Sequence, residues 1–350
     1  MLRLRFAFVV LAFVAFGSPV RAQFRTFANA DRLNRKLSGR VDDYTRSLAH
    51  DRRIDSVILG QRRDLYVYLP PCYDPRKSYP LLLYFHISRV DESEFVGSQR
   101  LLELDRRIVA GEFPPTIVVC PDGTVSGRNN VFGTNSFYLN GEGGRFEDHV
   151  LNEVIPFVAS RYSIRPDKQA HAILGVSGGG LGALSIAIRH RDYFGSVATL
   201  AAPVNLLYSN CRNDALEDFN PATYRWREHY DPHELMGRYF FGLQRVQARH
   251  YARPVFGDDP DQVYARLVAV NPATLISTTN LQPGELAIYL NYPGRDGYNI
   301  DAQTQSFAWL AAQRGIAVET ASIPGANHNL AYFRQAHEPA FAWLARQLGP

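Results

Sequence analysis

The stretch Ile173-Leu174-Gly175-Val176-Ser177-Gly178-Gly179-Gly180 runs from an apolar segment into three glycines, with one serine at the junction. Upstream, His171 to Val176 reads as a strand. Downstream, Gly178 to His190 reads as a helix of small and apolar residues. A serine held between strand and helix sits in a tight, strained turn that exposes its hydroxyl. Glycines at 175 and 179 let the two elements approach closely enough to make that turn. The helix start also supplies free N–H groups and the positive end of its dipole, which suit a developing oxyanion. The Gly-x-Ser-x-Gly pattern alone arises by chance in roughly one chain in ten of this length, so its context must decide. A phosphate-binding turn would also use glycines, but the Lys-Ser/Thr ending and the acidic ribose-binding context are missing.

Around this junction the chain alternates. Arg40 to Thr45, Ile54 to Leu59 and Leu65 to Leu69 read as strands, with Gly60 to Arg63 as a hairpin turn and Pro70-Pro71 as a stop. This predicts an antiparallel entry into the sheet. Leu81 to Phe85 and Thr116 to Cys120 are apolar on both faces, as central strands are, and Phe95 to Ala110 between them has helical spacing. Val150 to Tyr162 reads as a helix and Val197 to Ala201 as a strand. After a polar, Tyr- and Arg-rich break at 205–275, with helix-like pieces around 232–252 and 260–268, the rhythm resumes. Leu286 to Leu290 and Val318 to Ile323 read as strands, and 302–314 and 333–348 as helices. The alternation predicts one α/β domain over 37–350: a mainly parallel sheet, antiparallel N-terminal strands, helices on both faces, and a lid or peripheral insertion at 205–275.

A serine nucleophile needs a base, and the base needs an orienting acid. Among ten histidines, His328 lies in the turn Pro324-Gly325-Ala326-Asn327-His328-Asn329, between a late strand and the final helix. It can return to the sheet edge that carries Ser177. Asp296 follows the strand ending at Leu290 and is the preferred acid; Asp301, five residues on, is the alternative, or else a cap for the next helix. The order Ser177, Asp296, His328 is that of the α/β-hydrolase fold. Backbone N–H groups of Gly178 and of the loop at Ile87-Ser88 are the expected oxyanion donors. His86, Tyr292 and Asn329 are candidates for the substrate pocket.

Composition and charge narrow the rest. At 350 residues, 46% hydrophobic and 21% charged, the chain is globular rather than disordered or fibrous. Met1 to Arg5 is basic, Phe6 to Phe16 is uninterrupted apolar sequence, and Gly17 to Ala22 is small or turn-forming apart from Val20 and Arg21. The apolar run of 11 residues is too short to cross a ~30 Å bilayer core as a helix. Residues 1–22 are therefore expected to be a signal peptide cleaved near Ala22-Gln23, with an uncleaved anchor as the rival, and 23–36 a flexible lead-in. The mature chain would be secreted or periplasmic, without stable membrane insertion. Loss of Arg3, Arg5 and Arg21 reduces the formal charge of +4 to about +1 and removes the argument for nucleic acid as a partner. Cys72 and Cys120, near strand ends, read as buried thiols, and loop Cys211 could pair with either, since export permits a disulfide. No Cys-His metal spacing appears, and neither metal nor organic cofactor is expected.

With these residues in view, the chain resembles the putative esterase family of α/β-hydrolases, related to esterase D, S-formylglutathione hydrolase, bacterial feruloyl esterases and the antigen 85 mycolyltransferases. The likeness runs from about Gly39 to the C terminus. It is carried by Arg63-Asp64-Leu65-Tyr66-Val67-Tyr68-Leu69-Pro70, Val119-Cys120-Pro121-Asp122-Gly123, Asn135-Ser136-Phe137-Tyr138, Gly144-Arg145-Phe146-Glu147-Asp148, the serine junction and Pro324 to His328. It implies Ser177 as nucleophile, Asp296 as acid and His328 as base, acting on small-molecule or carbohydrate-linked esters, aromatic esters among them. Transfer of the acyl group to a sugar or other alcohol, and a non-catalytic carbohydrate- or surface-binding role, are the alternatives. Two departures stand out. His86-Ile87 replaces the family's His-Gly, and Gly178 replaces a Met or another larger residue, which predicts extra room in the acyl pocket.

Overall fold

The computed structural model describes residues 30–46, 50–127, 135–239 and 244–349. The expected signal peptide and the start of the lead-in lie outside them. Among the described residues an eight-stranded sheet forms the centre: β1 (Arg40–Tyr44), β2 (Leu65–Leu69), β3 (Leu81–Phe85), β4 (Ile117–Pro121), β5 (His171–Val176), β6 (Ser196–Leu200), β7 (Ala287–Pro293) and β8 (Glu319–Ile323). The spatial order is β1-β2-β4-β3-β5-β6-β7-β8. β2 runs antiparallel to both β1 and β4, and the other pairs are parallel. This is the α/β-hydrolase arrangement.

The helices that shape the site are α1 (Gln99–Val109), α2 (Gly178–Arg189), α3 (Arg249–Phe256), α4 (Pro260–Val270), α5 (Pro272–Thr278), α6 (Ile300–Gln313) and α7 (Leu330–Leu348). Strand alternation sends Leu81, Leu83 and Phe85 to one face and Leu82 and Tyr84 to the other. The first face packs against Leu184 and Ile188 of α2 and Phe307 of α6. The second meets Leu101 and Leu104 of α1 and Phe341 and Leu344 of α7. Every residue of β3, β4, β5 and β6 is consequently buried, which explains why these strands lack polar alternation. α2 is buried along nearly its whole length, and its small residues are what let it lie against β5 and β6.

Several local expectations are corrected. Gln61–Arg63 is not a turn but a short strand antiparallel to Ile54–Ser56; the turn comes earlier and closes at Gly60, whose φ is +65°. The end of the lead-in is anchored, because Ala30–Asn34 is helical, Leu33 is buried, and the Asn34 side chain both donates to and accepts from the Val41 backbone. Within the insertion, Leu235–Tyr239 pairs with Gln244–Gln247 as a hairpin, and helix begins only at α3. Gly237 is a poor helix residue, and a Cβ there would run into the Tyr298 ring. The three cysteines are free thiols, with Cys120 buried and Cys72 and Cys211 exposed. Among the described residues no helix is long and apolar enough to cross a membrane.

Candidate active site

Ser177 occupies the turn between β5 and α2 with φ 50° and ψ −118°, a conformation costly for a residue with a side chain. Its N–H donates to Leu200 O on the neighbouring β6 at 2.8 Å, and its C=O accepts from Gly180 at 2.9 Å. Gly179 explains the close approach behind it. A Cβ there would come within 2.5 Å of the carbonyl oxygens of Phe85 and His86, so the start of α2 rests directly on the loop leaving β3. That contact brings Gly178, the first residue of the helix, beside Ile87 and Ser88 at one cavity wall. An N–H at the first helical position has no intrahelical carbonyl to pair with.

His328 arrives from the loop between β8 and α7. Its Nε2 lies 2.9 Å from Ser177 Oγ and its Nδ1 2.9 Å from Asp296 Oδ2. The Asp296 side chain is fully buried, and its other oxygen accepts the Tyr298 N–H at 2.7 Å. The imidazole is flanked edge-on by Tyr298 and Phe333, each with its ring centroid 5.2 Å away. The acid and base loops are also tied together. Arg295 N–H donates to Ala326 O, and the Asn327 side-chain oxygen accepts from both Gly297 and His328. Asp301 lies inside the first turn of α6, not against His328, and burial raises its carboxyl pKa. Beside Ser177 opens a cavity of about 230 Å³, walled by Phe137, Leu181, Leu206, Met236, Phe256 and Leu267, with Arg227, Tyr251, Tyr298 and Gln303 as polar lining.

Comparison with known proteins places the chain in a family. The family described as Putative esterase matches residues 56–342. The chain belongs to that family. It is similar to Endo-1,4-beta-xylanase Y of Acetivibrio thermocellus, at 31% identity over 37% of this chain and 12% of that protein. It is also similar to Esterase Rv1288 of Mycobacterium tuberculosis, at 28% identity over 44% of this chain and 32% of that protein. The matches thus span a third or less of these curated relatives. A solved ferulic acid esterase shares the fold with a TM-score of 0.60 at 19% identity, covering 89% of this chain and all of that one.

In this esterase-family chain the three expected pocket residues do not line the cavity. His86 is buried behind it: Nε2 accepts the Gly123 N–H at 3.0 Å, so the ring proton sits on Nδ1, which donates to Ile87 O at 3.0 Å. Burial lowers its pKa, consistent with a neutral ring that props up the loop. Asn329 is the cap of α7 and accepts from Tyr332 N–H, and Tyr292 packs with the core on the α1/α7 face of the sheet. The space expected at Gly178 is also filled, since a Cβ there would run into Ser88 Oγ and the Phe137 ring. Phe137 stands in the Asn135-to-Tyr138 motif, which marks the segment but not its place in the cavity wall. Leu181 comes from α2, and Leu206, Met236, Phe256 and Leu267 come from the insertion, where the sequence carries no sign that they converge.

Proposed function

We propose that the chain is a carboxylic-ester hydrolase that works through an acyl-enzyme on Ser177. The observation that carries this reading is the unbroken chain from Ser177 Oγ through the His328 ring to buried Asp296, opening onto an apolar cavity. His328 Nε2 accepts the hydroxyl proton as Oγ attacks the ester carbonyl, and Nδ1–H donates to Asp296, which fixes the tautomer and stabilises the imidazolium. The N–H groups of Gly178 and Ile87 stabilise the tetrahedral oxyanion. His328 returns the proton to the leaving alcohol, and water then repeats the sequence on the acyl-enzyme. No step calls for a cofactor.

The cavity favours a bulky apolar acyl group, because its walls are mostly aliphatic and aromatic. Aromatic esters, including those linked to carbohydrate, fit that description, and similarity to a ferulic acid esterase and to a xylanase supports them. The basic, then apolar, then small-residue start of the chain supports export, with 37–350 as the catalytic unit. The test is an ester panel spanning acetyl to aromatic acyl groups, with Ser177→Ala beside it and a fluorophosphonate as covalent probe. The wild type should hydrolyse the aromatic esters best and be labelled at Ser177. Ser177→Ala should lose about 10⁵–10⁶-fold in kcat. Normal turnover by a folded Ser177→Ala protein would sink the proposal.

A further inference from the structure

The loop that carries Asp296 is gripped from two sides, and Asp296 sits at the join. From the sheet side, Gly294 N–H donates to Ile323 O at 3.0 Å and Arg295 N–H to Ala326 O at 2.9 Å. From the insertion side, three consecutive residues are held. Gly297 O accepts the Arg238 N–H at 2.8 Å. The Tyr298 ring lies on Gly237, where a Cβ would come within 2.6 Å of it, and its hydroxyl meets the Tyr251 hydroxyl at 2.5 Å. The Asn299 side chain donates to Ala215 O and Glu217 O at 3.0 and 2.8 Å.

Tyr298 is the hub of this grip. Its backbone N–H holds the Asp296 carboxylate and its ring stands edge-on to His328. A displacement of Tyr298 as a whole therefore moves the acid's partner and one wall of the base together. Tyr251, on α3, meets that ring at 82° with a centroid separation of 5.8 Å. Resting on the Ser177–His328–Asp296 reading above, we propose that Tyr251 is a positioning residue: through Tyr298 it holds Asp296 and His328 where they activate Ser177. The 205–275 insertion is then part of the reacting geometry as well as a wall of the pocket, and even an ester too small to touch that wall depends on it.

The experiment measures kcat and KM for p-nitrophenyl acetate, whose acetyl group does not need the insertion wall, and the rate of Ser177 labelling by a fluorophosphonate. Tyr251→Phe removes one hydroxyl and keeps the ring. It should lower kcat and the labelling rate about tenfold with KM within about twofold, because misaligned catalytic groups slow chemistry without weakening a small ligand. Gly237→Ala, which presses on Tyr298 from the hairpin, should give the same split. Tyr264→Phe removes a hydrogen bond of the same kind within the insertion, from Tyr264 to Arg227 O at 3.1 Å, away from the acid loop, and should leave kcat unchanged. Wild-type kcat in Tyr251→Phe, or equal losses in Tyr251→Phe and Tyr264→Phe, overturns the positioning role while leaving the Ser177 assignment standing. A wild-type protein that neither turns over esters nor labels at Ser177 overturns both.

Discussion

Asp296 and Asp301 stand five residues apart, and chemistry separates them where spacing does not. Asp296 is fully buried with both oxygens engaged, one by the His328 ring and one by Tyr298 N–H. Asp301 lies in the first turn of α6, and its Oδ1 has no hydrogen-bond partner among the described residues. Asp296→Asn should lower kcat by about 10³–10⁴-fold, as the amide favours the wrong imidazole tautomer, whereas Asp301→Asn should stay within about threefold. Steady-state kinetics of the two variants on one ester decide it; equal losses would contradict the assignment. At this scale the sequence was most readable. Ser177, Asp296 and His328 stand in loops that follow strands β5, β7 and β8, and periodicity locates such loops. Phe137 and Tyr138 were not readable in the same way. Both adopt φ values near +55°, which only the surroundings can impose on non-glycine residues. Tyr138 is held there by stacking on Phe85 and by donating to Pro121 O.

At the scale of elements, the join between the Ile54–Arg63 hairpin and β2 carries the clearest consequence for pH. Arg63 is buried and pairs with Asp122 at 2.7 Å, while Asp64 beside them lies 4.0 Å from Arg53. Burial, and then the nearby Asp122 charge, push the Asp64 carboxyl pKa up to about 7. In the unfolded chain it ionises near ~4. Between these values the folded state holds a proton that the unfolded state has lost. The group's contribution to stability is therefore greatest below ~4, falls as pH rises and levels off above about 7. Asp64→Asn removes that dependence. The gain in Tm of the variant over the wild type should widen from pH 5 to pH 8, and a gap independent of pH in thermal melts would contradict it. Such coupling is invisible in the sequence, where Arg63, Asp64 and Asp122 are a motif without a geometry. The same applies to the pairing of Leu235–Tyr239 with Gln244–Gln247, where Gly237 leaves room for the Tyr298 ring.

Across the whole molecule, the sheet and its helices supply Ser177, Asp296 and His328, while the insertion supplies much of the cavity wall. The first part follows repeating physical rules, buried strands and crossover helices, and was legible. The second is a polar excursion whose apolar residues Leu206, Met236, Phe256 and Leu267 converge only in three dimensions. This division predicts that acyl preference can be altered separately from chemistry. Ala252, on α3, lines the cavity and is buried. Ala252→Leu keeps a good helix former there and extends a side chain into the space an aromatic acyl group would occupy. It should lower kcat/KM for aromatic esters by about 10–100-fold, the usual consequence of removing pocket volume, and lower that for an acetyl ester by less than about threefold. The measurement is the ratio of kcat/KM for the two esters. Tyr251→Phe, one position away, should lower both together, since it acts on Asp296 and His328 rather than on the space. A ratio unchanged in Ala252→Leu would mean that the acyl group binds elsewhere and that the insertion serves the catalytic loops alone.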